Sequence, residues 1–215
     1  PEAQRKIKSI IEAPPIFASN SYIIFSYAIC AACFSILLSC QWQEVLAACV
    51  GGIICALCDI VVGTYAPKLG PVGCVIDALA CGLNGIIFKA IFNPFGYQMQ
   101  VAIVGICGVV IPLPGLSITA SIQEMSSKQV RAGILRFVSA FSSSVQLAAG
   151  LMVARIIEKS IPWVNNVPVH AFSYPDWSML LIVPCAAIGF MISLRSPQYP
   201  LATISVIVNC FIAYF

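Results

Sequence analysis

Ionisable side chains are scarce in this chain, and the few inside its apolar runs are the ones that could do chemistry. Asp59 lies near the end of one such run and Asp77 near the start of the next. Two neighbouring carboxylates in a low-dielectric setting do not readily both ionise, so such a pair can take up a proton. Arg136 opens a later run, and its guanidinium suits a carboxylate, either a ligand's or an aspartate's. Before it comes Val109 to Thr119, Val-Val-Ile-Pro-Leu-Pro-Gly-Leu-Ser-Ile-Thr, followed by Glu124. Pro112 and Pro114 donate no backbone N–H, and Gly115 accepts left-handed dihedrals. In lipid, backbone groups freed by such a break need partners from protein or a watery cavity. Interrupted spans of this kind line transporter binding sites, and Ser117 and Thr119 add hydroxyls suited to an ammonium or hydroxyl group. A plain proline kink ending a helix at the membrane surface explains the same residues without a ligand.

The elements that must position these groups are membrane spans. The composition is 60% hydrophobic and 9% charged, with a mean hydropathy of +0.97. A soluble domain carries roughly a quarter charged residues. The fold class expected is all-α, a polytopic transmembrane helical bundle with a Pro/Gly-broken span. Residues 1–20 form a basic juxtamembrane lead with Arg5, Lys6 and Lys8, broken at Pro14-Pro15. Residues 21–157 form a first transmembrane half of five spans: 22–39, 45–64, 72–92, a broken fourth from about Gln100, and 132–156. Gln41 to Glu44 read as a polar turn, 65–73 and 123–131 as loops. Asp77 and Asn84, seven residues apart, share a helical face. Lys89, near the far end of the third span, is expected to snorkel outward. Gly105 and Gly108 would let a neighbouring helix approach closely. Residues 158–177 form a connecting loop that holds the one histidine, His170. Residues 178–215 open a second transmembrane half that stops short, so the chain reads as part of a longer one.

Charge sets the orientation. With the N-terminus in the cytoplasm, Arg5, Lys6, Lys8, Lys68, Lys128, Arg131, Arg136 and Arg195 share its side, against Lys89, Arg155 and Lys159 opposite. Asp59, Asp77, Arg136 and the Pro-Gly break then approach the cytoplasmic third of the membrane. Whether they form a transport site or a structural ion pair between Arg136 and an aspartate is open at this level. Net charge is +3 with no basic patch, which argues against nucleic acid. No P-loop suggests ATP coupling. Eleven cysteines lie mostly within apolar runs. Cys30-x-x-Cys33 and Cys55-x-x-Cys58 have metal-ligand spacing, but the reading adopted is small apolar packing residues and no metal.

The block Leu113-Pro114-Gly115-Leu116-Ser117-Ile118-Thr119, then Glu124, then Gly133-Ile134-Leu135-Arg136, resembles the threonine/serine exporter family. There a Leu-Pro-Gly segment precedes a short polar loop with an acidic residue and a helix opening on Gly-x-x-Arg. Leu147-Ala148-Ala149-Gly150 is similar to that family's small-residue helix, and Gly189-Phe190 and Ser196-Pro197 to the opening of its second half. The cysteine richness and the early stop depart from the pattern. The resemblance implies a secondary transporter, not an enzyme, exporting small polar metabolites such as threonine and serine, with proton coupling as an option. Substrate binding would fall to Pro114, Gly115, Ser117, Thr119, Glu124 and Arg136, and proton coupling to Asp59 and Asp77. No cofactor is expected. The implied partners are the lipid bilayer and a small-molecule substrate, with a homo-oligomer left open, in a plasma or organellar membrane. A dicarboxylate exporter, a non-transporting membrane scaffold and an intramembrane thiol enzyme are the alternatives.

Overall fold

The computed structural model describes residues 20–65, 72–95, 99–161, 174–175 and 178–194. Seven α-helices follow one another with no strand among the described residues: α1 (Asn20–Leu37), α2 (Trp42–Tyr65), α3 (Gly73–Phe92), α4 (Val101–Gly108), α5 (Gly115–Ser126), α6 (Val130–Ser160) and α7 (Met179–Leu194). Four helical stretches are long and apolar enough to cross a bilayer: 20–37, 42–64, 73–95 and 130–160. The protein is a multi-pass, all-helical membrane protein. Most of the basic lead, His170 and the final apolar run lie outside the described residues.

Helices α1, α2 and α3 pack in sequence order, α4 sits against α2 and α3, α6 lies along α3, and α7 lies along α1. Small residues make these approaches close. A Cβ on Gly52 would stand 2.6 Å from the Tyr27 carbonyl oxygen on α1, so α2 can lie there only with glycine at this position. Gly108 ends α4 against Cys81 of α3 and Gly51 of α2, giving Gly105 and Gly108 the role expected of them. The core gathers Tyr27, Cys55, Ala78, Cys81, Val109 and Leu147 from five segments. Outward, α6 presents Leu135, Phe141, Met152 and Ile156 as a lipid-facing surface.

Two turns use the same device. After α1, Ser39 adopts φ 57°, its N–H reaching the Ile36 carbonyl at 2.9 Å and that of Cys40 reaching Ser35 at 3.1 Å. After α5, Lys128 adopts φ 65°, its N–H reaching Met125 at 3.3 Å and that of Gln129 reaching Glu124 at 3.0 Å. Both are Schellman caps with a non-glycine residue in the left-handed position. The tight second turn corrects the loop expected over 123–131: α5 runs to Ser126 and α6 starts at Val130. The fifth span is likewise longer than expected, 31 residues, and takes in Glu158.

The fourth span is broken. Helix α4 has 8 residues, about 12 Å of rise, less than half of a hydrocarbon core. Turns replace the helix from Val109, and α5 restarts at Gly115, just past the second proline.

Candidate functional site

Cys55 and Asp59 stand one turn apart on α2, so both project from the same face. Asp77 comes from the start of α3. The ligand atoms of these three side chains all lie within 4.8 Å of one another. Asp77 is 1% exposed, and its Oδ1 has no hydrogen-bond partner. From α1, the Tyr27 hydroxyl donates to Asp59 Oδ2 at 2.5 Å. Cys81 of α3 lies within hydrogen-bonding reach of Cys55 and donates its thiol to the Gly51 carbonyl at 3.4 Å. Lower-lying polar groups are thus drawn from three helices into one cluster.

A cavity of about 330 Å³ opens beside Asp59, walled by Asn20, Ile23, Tyr27, Ile60 and Thr64. That is at the small end of the roughly 300–1,000 Å³ typical of small-molecule sites. On the other side, Val109 and Ile111 of the break pack on the core formed by Tyr27, Cys55, Ala78 and Cys81.

The residues expected to bind substrate sit elsewhere. Ser117 and Thr119 lie on α5 and are exposed, and the Thr119 hydroxyl donates back to the Leu116 carbonyl at 2.9 Å. Arg136 of α6 pairs with Glu124 of α5 at 2.6 Å, and its side chain is half exposed. Its carboxylate partner is therefore Glu124, where an aspartate had been one expectation. Gly133 explains the Gly-x-x-Arg spacing: a Cβ there would stand 2.8 Å from the Ser121 carbonyl oxygen. Only that close approach of α5 brings Glu124 within reach of Arg136 one turn on. Ser143 of α6 lies beside Cys74 in the first turn of α3. Arg136 lies seven residues before Ser143, about 10 Å along the helix axis. The structure joins Asp59 to Asp77 and Glu124 to Arg136, and separates the two pairs.

Two buried carboxylates escaped the sequence reading. Glu158 accepts from Lys89 Nζ at 2.8 Å and from Arg155 Nη1 at 2.6 Å. Lys89 thus does not snorkel outward; it ties α3 to α6. A glutamate three residues after an arginine on a helix was the available signal. Glu44 accepts the backbone N–H of Gln41 at 2.9 Å and of Gln100 at 2.7 Å. It caps the start of α2 from the third helical position, as in a capping box, and also the start of α4. The spacing Gln41-x-x-Glu44 carried the first contact, and nothing in the sequence carried the second. At the same end, the Tyr174 hydroxyl donates to the Cys40 carbonyl at 2.8 Å, and burial pushes its pKa up from the ordinary value.

A helical bundle with a half-length helix, a close pair of carboxylates of which Asp77 is buried, and a small cavity belongs among multi-pass membrane proteins. A family model described as "Putative threonine/serine exporter" matches residues 1–157, and the chain belongs to that family, whose description is of an exporter and not of an enzyme. No curated protein matches the chain, and no solved structure does.

Proposed function

We propose that the protein is a proton-coupled secondary transporter exporting small zwitterionic amino acids, threonine and serine among them. The observation that carries this reading is the Asp59–Asp77 pair beside a cavity and a broken span. Asp59 lines the cavity, and a carboxylate there attracts the ammonium of an amino acid and repels a dicarboxylate. The pair is flanked by Tyr27 from α1, Cys55 on α2 and Cys81 on α3, with no basic side chain among the described contacts. This reading puts the exchanged proton on that pair, whose carboxylates lie within 4.8 Å of each other with Asp77 buried. Binding or releasing it biases the inward- and outward-open states, because a ligand shifts an equilibrium only by binding its states differently. Arg136 with Glu124, and the hydroxyls of Ser117 and Thr119, form a cytoplasmic mouth that meets the substrate carboxylate. Pro114 and Gly115 supply the hinge between α4 and α5.

The test is flux from proteoliposomes of the complete chain, against a panel of amino acids and dicarboxylates, with and without a proton gradient. Gradient-driven threonine or serine flux is the expected outcome. Dicarboxylate flux in its place would overturn the substrate class, and no flux of either would leave a scaffold. Loss of thiol-dependent turnover on cysteine removal would point to the enzyme alternative.

A further inference from the structure

We infer that Cys55, Asp59 and Asp77 form a binding site for a divalent transition-metal ion of the zinc class, an inference beyond the exporter reading and independent of it. Three donors from two helices already lie within 4.8 Å of one another. Donors around a tetrahedral ion bound at about 2.0–2.3 Å stand somewhat closer together, so small side-chain rotations complete the approach. One donor oxygen is waiting: Asp77 Oδ1 is buried without a partner, a costly state that a cation removes. Charge selects the valence. With Asp59, Asp77 and Cys55 bound as carboxylates and thiolate, a doubly charged ion offsets more of their negative charge than a proton or an alkali ion does, and the Cys55 proton leaves on binding.

Donor type selects the ion. Magnesium and calcium seek oxygen cages, while the Cys55 sulfur favours softer ions such as Zn²⁺. The Tyr27 hydroxyl, already on Asp59 Oδ2, orients that carboxylate as outer-shell partners do. The cavity that exposes Asp59 gives the ion a path in. This ligand set differs from the two Cys-x-x-Cys pairs: Cys30 instead donates to the Ala186 carbonyl of α7 at 3.7 Å.

The experiment uses the purified complete chain in detergent, titrated with Co²⁺ and then Zn²⁺, with no substrate or gradient present. We expect one Co²⁺ per chain with a sulfur-to-cobalt charge-transfer band, displaced by Zn²⁺. Cys55→Ser should remove the band, and Asp77→Asn should weaken binding at least tenfold. Glu124→Gln, at a position paired with Arg136, and Cys185→Ser, at an exposed one, both lie outside the cluster and should leave binding unchanged. Substoichiometric binding by the unaltered protein overturns the inference, as does a band that survives Cys55→Ser or disappears in Cys185→Ser. If Asp77→Asn fails to fold, the stoichiometry and the Cys55→Ser spectrum still decide. Since no flux is read, a protein that binds Co²⁺ but transports nothing keeps this site and loses the exporter reading. One that transports but does not bind does the reverse.

Discussion

The α1–α4 bundle and the α5–α6 hairpin use similar residues to opposite effect. In the bundle, two carboxylates are buried: Asp77 and Glu44 are 1% and 2% exposed. On the hairpin, Glu124 and Arg136 pair at the surface, and Ser117 and Thr119 face outward. Burial makes a polar group expensive unless its partners are fixed, so the bundle's polar groups define where the chemistry can be. The hairpin's polar groups cost little and are free to meet a ligand at a mouth. The difference teaches that a recognisable motif and the most demanding electrostatic site need not coincide.

The largest effect should separate the two regions by function. Asp59→Asn and Asp77→Asn should each lower gradient-driven flux at least tenfold, or about 1.4 kcal/mol in the barrier, and flatten its pH dependence. Arg136→Gln and Ser117→Ala should mainly raise KM, with kcat within about twofold, as expected for binding that is uniform in ground and transition states. Measured flux at two internal pH values decides. Wild-type behaviour in both aspartate variants, with folded protein, would move the chemistry to the hairpin.

Stability should separate them next. Lys89→Met leaves Glu158 buried with only the half-exposed Arg155 as partner. Breaking a buried pair from one side costs about 3 kcal/mol or more. Glu124→Gln breaks a pair that is already half in solvent and should cost less than about 1 kcal/mol. Unfolding midpoints in one detergent would show the contrast, and equal costs would mean the hairpin is packed more tightly against a partner than these contacts show.

Packing gives a smaller contrast. Gly52→Val drives a side chain into the α1 backbone and should cost about 1–3 kcal/mol. A Cβ at Gly115 meets nothing within 4 Å. Gly115→Ala should therefore be neutral or stabilise by up to about 1 kcal/mol, since it also strengthens a helix start. A severe loss of stability in Gly115→Ala would show that the break needs glycine's dihedral freedom and not just its position.

Much of this fold was legible in the sequence because lipid allows so few solutions. The span limits near Val72–Phe92 and Ser178–Leu194 agree with α3 and α7 to within a residue. The break at Pro112–Gly115 was legible because proline chemistry is local. What stayed hidden depends on which helix faces which. Glu158 read as the start of a loop, since nothing local shows that α6 continues beside Lys89. Nothing local distinguishes Tyr27 from the other aromatics of its apolar run; only the packing of α1 on α2 puts its hydroxyl on Asp59. The helical face shared by Asp77 and Asn84 was readable, but their partners were not: Asn84 donates to the Ala47 carbonyl at 2.9 Å, while Asp77 looks towards Asp59.

The smallest effect tests the hairpin's turn itself. Lys128 and Ser39 hold left-handed dihedrals in matching caps, a conformation that costs an L-residue about 1–2 kcal/mol. Glycine removes that cost but adds freedom to the unfolded chain, worth about 0.5–1 kcal/mol. Lys128→Gly should therefore stabilise the protein by no more than about 1 kcal/mol, read as a small rise in the unfolding midpoint. Ser39→Gly should do the same at the α1–α2 turn, where the caps differ in what they carry. Gln129 donates to the carbonyl of Glu124, so the second turn also sets the register that places Glu124 opposite Arg136. If the turn merely connects, Lys128→Gly and Ser39→Gly will raise the midpoint alike and leave KM untouched. If it holds the mouth in register, the more permissive glycine will raise KM together with stability, and Ser39→Gly will not.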